Sequence, residues 1–125
     1  MKNNIWSRNR HVLKKIKNPS KRKYEIEIEI PELTFEGDKK KPDFGKLCIK
    51  FCPSDYVIEL KSLKEYIYEF RNQLYSYERI IHVIFDDIME VYNPQSLSIT
   101  LNTNPRGGIS SKLKVCSEKF IPYQL

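Results

Sequence analysis

The chain of 125 residues is 40% hydrophobic and 30% charged, a length and balance that fit one soluble domain with one modest core. Its formal charge of +6 comes from residues 1–23, which hold nine lysines and arginines and no acid; the remaining 13 basic residues face 16 acidic ones, leaving about −3. No apolar run reaches the roughly 18 residues of a membrane span, no secretory apolar core opens the chain, and three cysteines are a poor basis for a disulfide framework.

The acid-free arm at 1–23 reads as an extension ahead of a domain at 24–116, with a short tail at 117–125. Such an arm can be a nucleic-acid contact, an organelle-targeting peptide or a solubilising extension, and its Trp6 could stack on a base. Tyr24 to Ile30 alternates apolar and acidic residues, so one strand face is buried and Glu25, Glu27 and Glu29 stand on the other. Pro31 is expected to end that alternation, and Glu36 to Pro42 reads as a loop. Gly45 to Cys52 is a second strand, with Leu47, Ile49 and Phe51 on one side and Cys48, Lys50 and Cys52 on the other. The two cysteines read as small buried hydrophobes, and their spacing, without suitably placed histidines, is a weak metal signal.

Pro53-Ser54-Asp55 turns the chain, and Tyr56-Val57-Ile58 leads into a helix entered at Glu59. Leu60, Leu63, Ile67, Phe70 and Leu74 recur at steps of three and four, which predicts one buried helical face with Lys61, Lys64, Glu65 and Arg71 toward water. Ser76 is a good N-cap for a second helix, whose first turn carries Glu78 where the helix dipole favours an acid. Tyr77, Ile80, Ile81, Ile84, Ile88 and Val91 form its apolar stripe; Arg79, Asp86, Asp87 and Glu90 are expected outside it, and Asn93-Pro94 ends it. Neither His82 in this helix nor His11 in the arm has an evident ligand partner. Ser96 to Thr103 alternates again, Asn104 to Gly108 is a turn, and Ile109 to Cys116 is a last strand. Strand, strand, helix, helix, strand, strand favours an α+β layer: a four-stranded antiparallel sheet with both helices on one face, whose free edges invite pairing with further copies.

Several literal stretches resemble one family. Glu59-x-Lys61-Ser62-Leu63-Lys64-x-Tyr66, Phe70-Arg71-Asn72, Glu78, Pro94 and Pro105-Arg106-Gly107-Gly108-Ile109-Ser110 follow Pro42-Asp43-Phe44 at suitable spacings. Together they are similar to the NADPH-dependent 7-cyano-7-deazaguanine reductases, nitrile reductases of queuosine biosynthesis in tRNA modification. The resemblance runs without a gap from Pro42 to about Ser110. Upstream, Pro31-Glu32-Leu33-Thr34 resembles the family's Pro-Glu-Phe-Thr if one residue is missing from the intervening loop. It implies the tunnelling fold (ββααββ), whose subunits join into barrels, and hence a cytoplasmic homo-oligomer using NADPH.

The resemblance also implies a purine-like base bound between subunits. The carboxylates of Glu59 and Glu78 would accept paired hydrogen bonds from a ring N–H and an exocyclic amine, with Ile58, Leu60 and Tyr77 in the same pocket. Tyr77 stands where the family has a histidine, which removes a proton donor near neutral pH. Lys61, Arg106 and Gly107 match positions used for NADPH, where cations and glycine amides suit phosphates; a solvated lysine face and a plain turn fit the same residues. In the family a cysteine attacks the nitrile to give a thioimide, an aspartate seven residues later protonates the nitrogen, and NADPH delivers two hydrides. Asp43 matches the acid, but Glu36 stands seven residues before it and no cysteine precedes Cys48. Phe35-Glu36-Gly37-Asp38 replaces the family's Ser-Leu-Cys-Pro, and a carboxylate is a weak nucleophile although it can serve as a base. The expected function is therefore binding of a 7-deazaguanine-type base. The alternatives are a diverged enzyme on a related free or tRNA-bound base, or a non-catalytic partner of an active paralogue. Contact with tRNA would fall to the basic arm; no metal and no membrane are expected.

Overall fold

The alternation that begins at Tyr24 grows into a strand longer than its sequence pattern suggests. In the computed structural model, which describes residues 9–37, 41–104 and 107–118, a 3-10 turn at Arg10–Val12 is followed by β1 (Lys15–Lys17), β2 (Ile26–Glu36), β3 (Pro42–Cys52) and β4 (Tyr56–Ile58). Helix α1 (Leu60–Tyr68) tightens into a 3-10 turn at Glu69–Asn72, and α2 (Tyr77–Tyr92), β5 (Ser96–Thr103) and β6 (Lys112–Cys116) complete the order. β2, β3, β5 and β6 form an antiparallel sheet in that order, while β1 and β4 make a separate two-stranded ladder. Apart from the short β1 and β4, which were not expected, the strand–strand–helix–helix–strand–strand order and the α+β class are as expected.

β2 passes through Pro31 because it is an edge strand, where a missing N–H costs no ladder bond. The register shifts between Ile30 and Leu33, and this bulge changes the inward set from Ile26, Ile28 and Ile30 to Leu33 and Phe35. Pairing then continues to Glu36 opposite Pro42, so the two end residues of the expected loop belong to the strands that flank it. β3 and β5 approach closely at Gly45, where a Cβ would stand 2.6 Å from the Asn102 carbonyl oxygen. Leu47, Ile49, Phe51, Leu97, Ile99 and Leu101 turn inward against Ile80, Ile81, Ile84 and Ile88 of α2. Each such fully buried side chain contributes about 1.5–3 kcal/mol.

Two expectations about the helices are corrected. Leu60 and Leu74 are 61% and 67% exposed, and Ser62 and Tyr66 take inward places instead. Polar contacts roll the helix this way: the Lys14 N–H donates to Ser62 Oγ at 2.9 Å, and the Tyr66 hydroxyl donates to Asp87 Oδ2 at 2.6 Å. Asp87, expected outside the α2 stripe, is fully buried, because Arg10 brings its Nε to within 2.7 Å of Asp87 Oδ1. The end signals of α2 hold: Ser76 Oγ accepts the Arg79 N–H, and Asn93 closes the helix in the left-handed region at φ 44°.

The basic arm is a free extension over none of its described length up to Asn18. Leu13 is in the core, Lys15–Lys17 pair with Tyr56–Ile58, and Arg10 neutralises a buried acid. Trp6 and the rest of 1–8, Asp38 to Lys40, Pro105, Arg106 and most of the C-terminal tail lie outside the described residues. Among the described residues no helix is long and apolar enough to cross a membrane.

Candidate functional site

The candidate residues fall into two groups at opposite ends of β2. At the first end, β4 delivers the chain to Glu59, which caps α1: its Oε1 accepts the Ser62 N–H at 2.9 Å and its Oε2 the Lys61 N–H at 3.1 Å. These backbone donors, the Ser62 amide foremost, hold the Glu59 carboxyl below the usual glutamate range. Each oxygen keeps a second lone pair, so the cap leaves acceptor capacity for a ligand. The Glu59 N–H in turn donates to the Lys14 carbonyl at 3.1 Å, which ties this end to β1. Ile58 is buried in the core, so only its backbone can meet a ligand, whereas Leu60 and Lys61 are exposed.

At the other end, β2 and β3 close on Glu36 and Asp43. Glu36 is held on both sides of its peptide: its N–H donates to the Gln73 carbonyl, and its carbonyl accepts the Tyr75 N–H, each at 2.9 Å. Tyr77, half-buried, packs its ring edge-on to Phe35 at 5.2 Å and donates its hydroxyl to the Phe44 carbonyl at 3.2 Å. Glu78 follows in the exposed first turn of α2, and its carbonyl is met by His82 Nδ1 at 2.7 Å. Gly45 pairs with Thr103, so the β5–β6 turn with Gly107 emerges at this same end; Gly107 and Gly108 are exposed with φ of 57° and 79°. Arg106 lies outside the described residues.

The two groups do not meet within one chain. Leu60 lies beside Ile28, and from there to Glu36 the strand advances eight residues, roughly 25 Å. A single pocket that uses both Glu59 and Glu78 therefore needs two copies.

Position 37 was missed by sequence reasoning. A Cβ built on Gly37 would collide with Asp43 Oδ2, so the Asp43 carboxylate occupies the space that a side chain at 37 would take. Counting forward from Pro31-Glu32-Leu33-Thr34 puts the family's cysteine on Gly37; counting back seven from Asp43 puts it on Glu36. The residue missing from the loop separates the two counts, and the position that faces the acid is Gly37. No thiol stands nearby. Cys48 is five residues along β3 from Asp43, about 16 Å, and donates to Glu27 Oε2 at 3.6 Å. Burial and then the Glu27 charge push its thiol up, away from the reactive thiolate. Cys52 is buried still further along. Among the described residues no cluster of histidine, cysteine, aspartate and glutamate could hold a metal.

The profile of the family described as QueF-like protein matches residues 42–120. The NADPH-dependent 7-cyano-7-deazaguanine reductase of Prochlorococcus marinus (strain MIT 9515) is 43% identical over 105 residues, covering 80% of this chain and 75% of the relative. The protein of the same name from Chlorobaculum parvum is 43% identical over 95 residues, covering 75% and 82%. Among solved structures, the apo crystal structure of the archaeosine synthase QueF-Like superposes with a TM-score of 0.71 at 12% identity, covering 78% of this chain and 96% of that one. At that identity the likeness concerns the fold.

Proposed function

The chain belongs to the QueF-like family, and on that premise we propose that it binds a 7-deazaguanine-type base non-covalently, in a pocket shared by two copies of the chain. One copy supplies the α1 end, with Glu59 and Leu60; the other supplies Asp43, Tyr77 and Glu78. Carboxylates suit this task because each can take two parallel hydrogen bonds from the guanine-like edge. The roughly 25 Å between the two ends of one chain supports a shared pocket.

The observation that carries the non-covalent reading is Gly37 against Asp43. Covalent capture of a nitrile needs a thiolate beside the acid, and the acid itself fills that place. Asp43 remains able to give or take a proton at the bound base, and Glu36 at the strand end could act as a base. NADPH, named for the relatives, would supply hydride when bound; the exposed Lys61 of one copy and the open turn at Gly107 of the other would suit its phosphates.

Incubation with 7-cyano-7-deazaguanine and NADPH, read by intact mass and by NADPH absorbance, tests this reading. The expected result is unmodified protein and no base-dependent oxidation, with the base retained in equilibrium dialysis. A thioimide adduct on Cys48 or Cys52, or turnover of the nitrile, would overturn it.

A further inference from the structure

The basic residues after Arg10 are displayed on an ordered backbone. Residues 14–23 hold Lys14, Lys15, Lys17, Lys21, Arg22 and Lys23 and no acid, while residues 24–125 carry about −3 in total. Asn18 organises the segment. Its N–H donates to the Asp55 carbonyl at 2.8 Å, and its Nδ2 to the Ser54 carbonyl at 2.8 Å. Its Oδ1 accepts the Tyr24 hydroxyl at 2.7 Å and the Ser20 N–H at 3.2 Å, and Ser20 Oγ accepts the Arg22 N–H at 3.0 Å. These bonds bend residues 18–24 into a cup against the β3–β4 turn. The cleft so formed, about 620 Å³, is lined by Lys17, Lys21 and Arg22 together with Asn18, Ser20 and Tyr56; Asp55 also lines it. Lys15 Nζ stands 4.5 Å from the centre of the Tyr56 ring, adding a cation at the rim.

We propose that this cleft is a contact for the phosphodiester backbone of RNA. Three cations against the one carboxylate of Asp55 converge on a concave surface that also presents hydroxyls and amides, the donor set that positions phosphates and 2′-hydroxyls. The flank of like charge at Lys14, Lys15 and Lys23 extends the field along the chain. The inference is independent of the base pocket.

Fluorescence anisotropy with a labelled, unmodified tRNA transcript and the full chain, over a series of salt concentrations, tests it. The variant Lys17→Ala/Lys21→Ala/Arg22→Ala should bind at least tenfold more weakly, with a salt slope flatter by about two to three, one per lost phosphate contact. Asn18→Ala leaves the charge unchanged and should still weaken binding several-fold, because the cup loses its fixed shape. The pair Lys112→Ala/Lys114→Ala, on β6, should bind as wild type. Thermal melting of each variant reports its fold. No tRNA binding by the wild-type chain at low salt, or equal losses in the β6 pair, would overturn the proposal. So would wild-type affinity in Asn18→Ala or the triple variant, or binding to anionic phosphatidylserine vesicles in place of tRNA.

Discussion

Asp87 projects from the apolar stripe of α2 and is held there by Arg10 Nε and the Tyr66 hydroxyl. Removing the guanidinium leaves a buried carboxylate without the cation beside it, a change that costs about 3–5 kcal/mol. Arg10→Ala should therefore lower the urea midpoint sharply, and Asp87→Asn in the same background should recover part of the loss. Periodicity could not reveal this pair, since it sorts residues by polarity alone and the two partners are 77 residues apart in sequence. Gly37 was legible from one flank only, because the shortened loop hides the correct count. That leads to a direct comparison of two cysteine variants. Gly37→Cys, once Asp43 swings aside, should acquire an adduct mass with 7-cyano-7-deazaguanine, whereas Glu36→Cys should stay unmodified. An adduct on the Glu36→Cys chain alone would place the nucleophile position one residue earlier.

Elements with local end signals were the most legible. Ser76 and Asn93 bound α2 as their side chain and backbone chemistry dictates. The roll of α1 was not legible, because it depends on Ser62 meeting the Lys14 amide and on Tyr66 meeting Asp87, both distant in sequence. The three-residue strand β1, read as part of a charged arm, is recognisable only once β4 lies beside it. Tyr92 at the end of α2 fastens this corner: its hydroxyl donates to the Lys14 carbonyl at 2.6 Å. Burial pushes its phenol up to about 12, from an ordinary value near 10. The unfolded chain therefore loses this proton first, and the stability it lends is complete below pH 10 and falls between pH 10 and about 12. With solvent screening included, the loss is about 1–2 kcal/mol. Urea unfolding of wild type and Tyr92→Phe should show the two converging across that window, the variant being less stable at neutral pH. A constant gap would show that the phenol does not titrate with unfolding.

For the whole molecule, the order of strands and helices was readable because each segment keeps a clear period of two or of three to four. What the pattern could not give is distance. Glu59 and Glu78 stand at opposite ends of β2, so the base pocket proposed for this family member requires a second copy. The edge strands β2 and β6 and the exposed Leu60 and Tyr68 beside β2 are surfaces on which such a copy could seat. Base binding through carboxylates is most directly tested by calorimetric titration of 7-cyano-7-deazaguanine into the wild-type chain and Glu78→Ala. The wild type should bind saturably, and the variant should bind roughly ten- to a hundredfold more weakly, the usual consequence of losing a charged hydrogen-bond acceptor. No heat of binding from the wild type, or equal affinity in the two proteins, would contradict it.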